Sequence, residues 1–174
     1  NSFFEQSTAY GLQLVNASSP AIEGNTIWEN GGDGLRISAS SSPHVVGNAL
    51  VRNGGYAAHV SGGSQAAFSG NVALGNRFNG IGIGGTINVD STWGTDLPYV
   101  IDGSVTLAMN TSLAMEPGAV VKFPADGQMT IQGQLSAEGT ADQRIIFTSL
   151  RDDAAGGDTN NDGSTASPQG EYAT

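Results

Sequence analysis

Residues 25–47 read NTIWENGGDGLRISASSSPHVVG, and residues 48–70 read NALVRNGGYAAHVSGGSQAAFSG. The two stretches have one length and open on the same residue. Working outward, Asn1 and Asn71 head similar stretches, so Asn1, Asn25, Asn48 and Asn71 are 24, 23 and 23 residues apart. A fixed period of this length marks a solenoid, whose units cannot bury their apolar faces alone and must stack on their neighbours.

Apolar residues return to matched places in each copy. Phe3/Phe4, Ile27/Trp28, Leu50/Val51 and Ala73/Leu74 form one set, and Leu12/Leu14, Leu35/Ile37, Ala58/Val60 and Ile81/Ile83 another. Ile22, Val45 and Phe68 form a third. Each group is short, alternating and bounded by Gly, Ser or Asn, as strands are. Helical spacing is absent, and many of the 26 glycines would destabilise helix interiors. Three short strands per 23 residues predict one turn of a parallel coil, with neighbouring turns about 4.8 Å apart. Aliphatic columns then line the inside and asparagines stack at the bends, with Asn30, Asn53 and Asn76 as a second column and Gln6 in its first place. Asn tolerates left-handed backbone, and its amide bonds neighbouring backbone or a stacked Asn. An antiparallel sandwich, with Asn30-Gly31 and Asn53-Gly54 closing hairpins, would leave the 23-residue register an accident.

The run N-x-I-x-x-N-G-x-G-L-x-I from Asn25 to Ile37 resembles the parallel β-helix repeat of the pectin-lyase-like superfamily. The resemblance covers residues 1–90 and implies an all-β, right-handed parallel β-helix. It leaves activity open, since that fold carries lyases, hydrolases, epimerases, adhesins and passive stalks.

After Ser91 the texture changes. STWGTDLPYVIDGSVTLAMNTSLAMEPGAVVKFPADGQMTIQGQLSAEGTADQRIIFTS, residues 91–149, keeps short alternating strands but loses the leading Asn and the even spacing. It resembles the opening turns of β-helix domains in large secreted bacterial surface proteins. The expected organisation is therefore 1–90 as the closing turns of one coil and 91–174 as the opening turns of a second, with Trp93 and Tyr99 plugging the junction. Residue 1 already lies inside a repeat, so the chain reads as a piece of a longer protein that is secreted or displayed at the cell surface.

Bulk composition narrows the partners. Six Lys+Arg against sixteen Asp+Glu give a net charge of −10, which repels nucleic acid and anionic lipid. No apolar run approaches the ~20 residues that span a bilayer. The absence of cysteine excludes disulfides and thiolate metal sites.

The sharpest chemical signal is the acidic loop at 151–170. Asp158, Asn160 and Asp162 have the D-x-N-x-D-G spacing of the first half of an EF-hand-type loop, with Gly163 at the sharp turn and Ser164 adding its carbonyl. Calcium takes six to eight oxygens. The closing position of such a loop falls on Gln169 rather than Glu, so Asp152, Asp153 or Glu171 must complete the shell. The expected metal ligands are Asp152, Asp153, Asp158, Asn160, Asp162 and Ser164, with calcium as the ion.

Catalytic signals are weaker. His44 and His59 have no paired Ser or Cys nucleophile at a telling spacing, and Arg36, Arg52 and Arg77 fall at different repeat offsets. Gln13, Arg36, His59 and Gly82 share one outward row. The reading is a structural or adhesive extracellular segment without catalysis of its own, stabilised by calcium. The alternative is a polysaccharide-binding or polysaccharide-degrading module. The expected partners are extracellular polysaccharide or further copies of the chain, through open strand edges.

Overall fold

The structure, a computed structural model, describes residues 1–163. The first coil turn comprises β1 (Phe3–Glu5), β2 (Leu12–Leu14) and β3 (Ala21–Glu23). The second comprises β4 (Thr26–Trp28), β5 (Leu35–Ile37) and β6 (His44–Val46), and the third β7 (Ala49–Val51), β8 (Tyr56–Ser61) and β9 (Ala67–Ser69). Next come β10 (Val72–Leu74), β11 (Phe78–Ile87) and β12 (Ser91–Trp93), then β13 (Tyr99–Leu107) and β14 (Ser112–Met115). The chain continues through β15 (Val120–Phe123), β16 (Gln128–Ile131), β17 (Gln134–Ala137) and β18 (Ile146–Ser149). No helix occurs among the described residues.

All strand pairings between adjoining turns are parallel, making a parallel β-solenoid of about six turns. The stacking follows the repeat: Leu12 lies under Leu35, Leu35 under Ala58 and Ala58 under Ile81. Ile22, Val45 and Phe68 form a second column, and Phe4, Ile27, Leu50 and Ala73 a third. Ile27, Leu35, Ile37, Val45, Leu50 and Ile81 are fully buried. Each such side chain contributes about 1.5–3 kcal/mol by leaving water, and no single turn could enclose them.

The bends carry two hydrogen-bonded asparagine ladders. In the first, Asn48 Oδ1 accepts from Asn25 N at 2.9 Å and Asn25 Nδ2 at 3.2 Å, and Asn71 Oδ1 accepts from Asn48 N and Nδ2 at 2.9 and 3.0 Å. In the second, Asn53 Oδ1 takes the N and Nδ2 of Asn30 at 3.2 and 2.9 Å, and Asn76 Oδ1 takes those of Asn53, both at 2.9 Å. Asn30, Asn48, Asn53, Asn71 and Asn76 each also turn an Nδ2 hydrogen back onto a carbonyl of the turn below, as Asn53 does onto Ile27 O at 3.1 Å.

The first turn departs from the expected register. Phe3 pairs with Thr26, so Ser2, not Asn1, stands under Asn25 and donates its N–H to Asn25 Oδ1. Likewise Ser7, not Gln6, stands under Asn30. The 24-residue first interval carried one residue too many for the column. The asparagines themselves also do not take the left-handed conformation. It falls on the residue before each one: Gly24, Gly47 and Gly70 in the first column (φ +64, +62 and +65) and Glu29, Arg52 and Gly75 in the second (φ +51, +52 and +67). That residue reverses the chain, and the following Asn clamps the reversal to the next turn.

Across residue 90 the main sheet continues, because β11 pairs with β8 below it and β13 above it. The two segments thus share one ladder. The cross-section changes there: β5 has three residues, β8 six, β11 ten and β13 nine. The lengthened strands break register between Gly84 and Gly85, where Gly85 at φ +78 makes a bend that a side chain would strain. Trp93 and Tyr99, both nearly buried, stack at 4.6 Å inside this junction, and the Tyr99 hydroxyl accepts the Gly94 N–H at 3.0 Å.

Replacing Asn53 by Ala removes the acceptor for two Asn30 donors and the donor to Ile27. At about 1–3 kcal/mol per buried group left unpaired, Asn53→Ala should cost about 3 kcal/mol in thermal or urea unfolding. The exposed Gln134→Ala should stay within about 0.5 kcal/mol.

Candidate functional site

The acidic segment after β18 does not project into solvent. Residues 150–163 run back across the outer face of the main sheet as a strap, passing β15 and β13 to reach β11. Lys122 explains the attachment. It lies in the outward row Gln13, Arg36, His59, Gly82, Val100, Lys122 and Thr148, one residue from each to the next turn. An outward lysine should be solvated, yet Lys122 is wholly buried because the strap covers it.

Its Nζ donates to Asp152 O at 2.8 Å and to Gly157 O at 2.7 Å. Burial pushes the Lys122 pKa down, while the carboxylates of Asp153, Asp152 and Asp158 pull it back up. The ammonium is a tethered counter-ion under a run of acids. Further along, Thr159 is fully buried against Gly80, Asn79 N donates to Thr159 O at 2.6 Å, and Asn79 Nδ2 donates to Asp158 O at 3.1 Å. Asn79 Oδ1 in turn accepts from Asn76, so the second asparagine ladder terminates on the strap.

The structure brings together three of the expected ligands. One oxygen each from Asp153, Asp158 and Asp162 lies within 4.8 Å of the other two. The Asp158 carboxylate also accepts the N–H groups of Asp162 and Gly163, both at 3.1 Å, which shapes the turn. Asn160 donates Nδ2 to Asp162 at 2.6 Å and keeps Oδ1 buried with no hydrogen-bond partner. Asp152 faces elsewhere, accepting from Thr148 Oγ1 at 2.6 Å and from Ala154 N at 3.0 Å. Ser164, Gln169 and Glu171 lie outside the described residues.

A second polar constellation occupies the lower part of the same face. His59 is almost fully buried and its Nε2 lies 2.9 Å from Asp102 Oδ2, two turns higher. Gly82 and Gly84 make the reach possible: a Cβ on Gly82 would sit 2.7 Å from the imidazole and 2.9 Å from the Tyr56 ring. Desolvation lowers the His59 pKa despite the carboxylate contact. The folded protein thus favours the neutral ring, with Nε2–H donating to Asp102 and Nδ1 buried without a partner. Burial raises the Tyr56 pKa, reinforced by Asp102. Tyr56 also stacks on Phe78 at 4.7 Å, while Arg36 bonds Asp33 at 2.9 Å. Beside this network lies an open groove of about 350 Å³ whose walls include Tyr56, Arg77, Phe78, Asp102 and Asp126. The sequence row pointed to His59. Asp102 and Lys122 carried no signal, because their roles depend on turns 43 and 30 residues away.

Stacked parallel turns with asparagine-pinned bends define a parallel β-solenoid. The family described as "Right handed beta helix region" matches residues 1–92, more than half of the 174 residues, and the chain belongs to that family. No curated protein and no solved structure matches it.

Lys122→Met keeps the length of the side chain and removes both bonds to the strap. Charged hydrogen bonds of this kind contribute about 1.5–3 kcal/mol each. An Asp-specific endoprotease should therefore cut the variant at Asp152–Asp158 at least tenfold faster than the unaltered chain, while far-ultraviolet circular dichroism stays the same.

Proposed function

We propose that this chain is a rigid, length-giving segment of an extracellular β-helix protein, structural or adhesive in role, whose acidic strap takes up calcium. The observation that carries the structural reading is the single parallel sheet running from β2 to β18, with two of the three bends in each regular turn clamped by a ladder of asparagines. Such a coil adds length by repeating the same contacts, and its stability is a sum over adjoining turns.

The calcium reading rests on the donor set. Three carboxylates with oxygens in mutual reach, together with the unpartnered Asn160 Oδ1, offer the hard oxygens calcium takes. Backbone carbonyls or water would supply the remaining positions. Lys122 already neutralises the inner side of the strap, so the ion would act on its outer side, tying Asp153 to Asp158 and Asp162. A bound ion stabilises the folded state by mass action, about 2.7 kcal/mol at one hundred times its dissociation constant. For a chain of this size that is a rise of about 5–10 °C in melting temperature. Calcium titration should produce this rise and slow proteolysis within 151–163. Asp158→Asn should abolish the calcium response, and magnesium should not replace it. An unchanged melting temperature would refute the ion.

A second reading, polysaccharide binding, is favoured by the groove beside Tyr56, Phe78 and Arg77. Stacked aromatic rings and flanking carboxylates are groups that hold sugar rings and hydroxyls. A glycan array separates the two. Bound oligosaccharide released by Phe78→Ala supports the groove, and turnover lost on Asp102→Asn would support an enzyme.

A further inference from the structure

The widening of the coil has a consequence at its side wall. In the lower turns the first and third strands stack without a break, as β1-β4-β7-β10 and β3-β6-β9. Above them both stacks stop. β11 carries the chain outward before it turns back, so β12 pairs only upward with β14, and β9 pairs only downward with β6. Among the described residues, no strand pairs with the upper edge of β9 or the lower edge of β12.

The backbone groups along this step can be assigned. Ala67 N donates to Pro43 O at 3.2 Å and Ser69 O accepts from Gly47 N at 2.9 Å, so both residues face β6. Parallel ladders alternate, which directs the N–H and C=O of Phe68 away from β6 and toward the step. On the other side Trp93 O accepts from Glu116 N at 2.9 Å, which directs the N–H and C=O of Thr92 toward the step from above.

Between the two edges is a notch of about 660 Å³, lined by Ala67–Gly70, Thr92, Gly94–Asp96, Tyr99 and Glu116. Natural edges are blunted by lysine, proline or a covering loop. Here the edge sequence AAFSG, residues 66–70, has none of these residues. The notch offers carboxylates from Asp96 and Glu116 and is lined by no Lys or Arg. Asp96 is held in place by accepting from Asn71 N and Nδ2 at 3.0 and 2.7 Å, and so caps the first asparagine ladder while facing the notch.

We infer that this notch is a docking site for an extended, basic peptide segment of a partner protein. The segment adds as a strand along β9 and β12, and its Lys or Arg side chains meet Asp96 and Glu116. Main-chain bonds give this mode its affinity and alternate side chains its selectivity. The charge of the site, within a chain of net charge −10, selects the sign of the partner.

The test uses a blocked Lys-Val-Lys-Val-Lys peptide in isothermal titration calorimetry. Its controls are the same peptide N-methylated at alternate residues and a Glu-Val-Glu-Val-Glu peptide. Binding should weaken at least tenfold on N-methylation, vanish for the acidic peptide and weaken at least threefold for Glu116→Gln. Thr92→Pro removes an edge N–H at an exposed position without touching the core, and it should weaken binding tenfold with the melting temperature unchanged. Equal binding of the plain and N-methylated peptides would show charge attraction alone and overturn the proposal. So would no binding, or a protein already dimeric through this edge that the peptide disperses.

Discussion

One side-chain oxygen holds two of the three bends in each regular turn of this molecule. The Oδ1 of a ladder asparagine accepts both the backbone N–H and the side-chain amide of the asparagine one turn below, while its own Nδ2 reaches back to a carbonyl of that lower turn. The bend would otherwise bury polar backbone groups with no partner, at about 1–3 kcal/mol each. With the asparagine in place the same groups set the rise from turn to turn. The aliphatic columns inside stay in register only while the bends do, because a slip of one residue would turn every side chain of a strand to the opposite face.

Both ladders end on something that belongs to the upper part of the coil. The first ends on the Asp96 carboxylate and the second on Asn79, which is itself held by the strap. A ladder with no terminal acceptor would leave the donors of Asn71 or Asn76 unpaired. These two caps join the regular turns to the wider ones, together with the long strand β11 and the Trp93–Tyr99 stack. Lys122 does for the strap what the caps do for the ladders, supplying a buried cation to main-chain carbonyls amid three aspartates. The mechanical unity of the coil therefore resides in a handful of polar contacts set into an apolar stack.

The fold was legible because its cause is periodic. Equal spacing of Asn25, Asn48 and Asn71, with apolar residues at fixed offsets, is the direct trace of stacked turns. The inward columns at Leu35/Ile37 and Val45 followed without error. The first turn was misread by one residue because Asn1 matched in type but not in register. Beyond residue 90 the period itself fails: Ile81 stacks on Tyr99, Tyr99 on Val121 and Val121 on Phe147, intervals of 18, 22 and 26 residues. Of the acidic loop, the sequence offered Asp152, Asp153, Asp158 and Asp162 together, and the structure sets Asp153, Asp158 and Asp162 side by side while giving Asp152 to Thr148. That Lys122 anchors the loop, or that Gly82 and Gly84 clear a path from His59 to Asp102, depends on which turns lie over which. Spacing along the chain holds no trace of it.

The most direct test of the ladder as the governing contact is amide hydrogen exchange followed by nuclear magnetic resonance. The backbone N–H groups of Asn30, Asn48 and Asn53 bond to side chains, and an isolated turn would expose them. The account predicts that they exchange as slowly as the core-strand amides of Ile37 and Val60, in one cooperative opening. Exchange at the rate of loop amides, with the strands still protected, would contradict it.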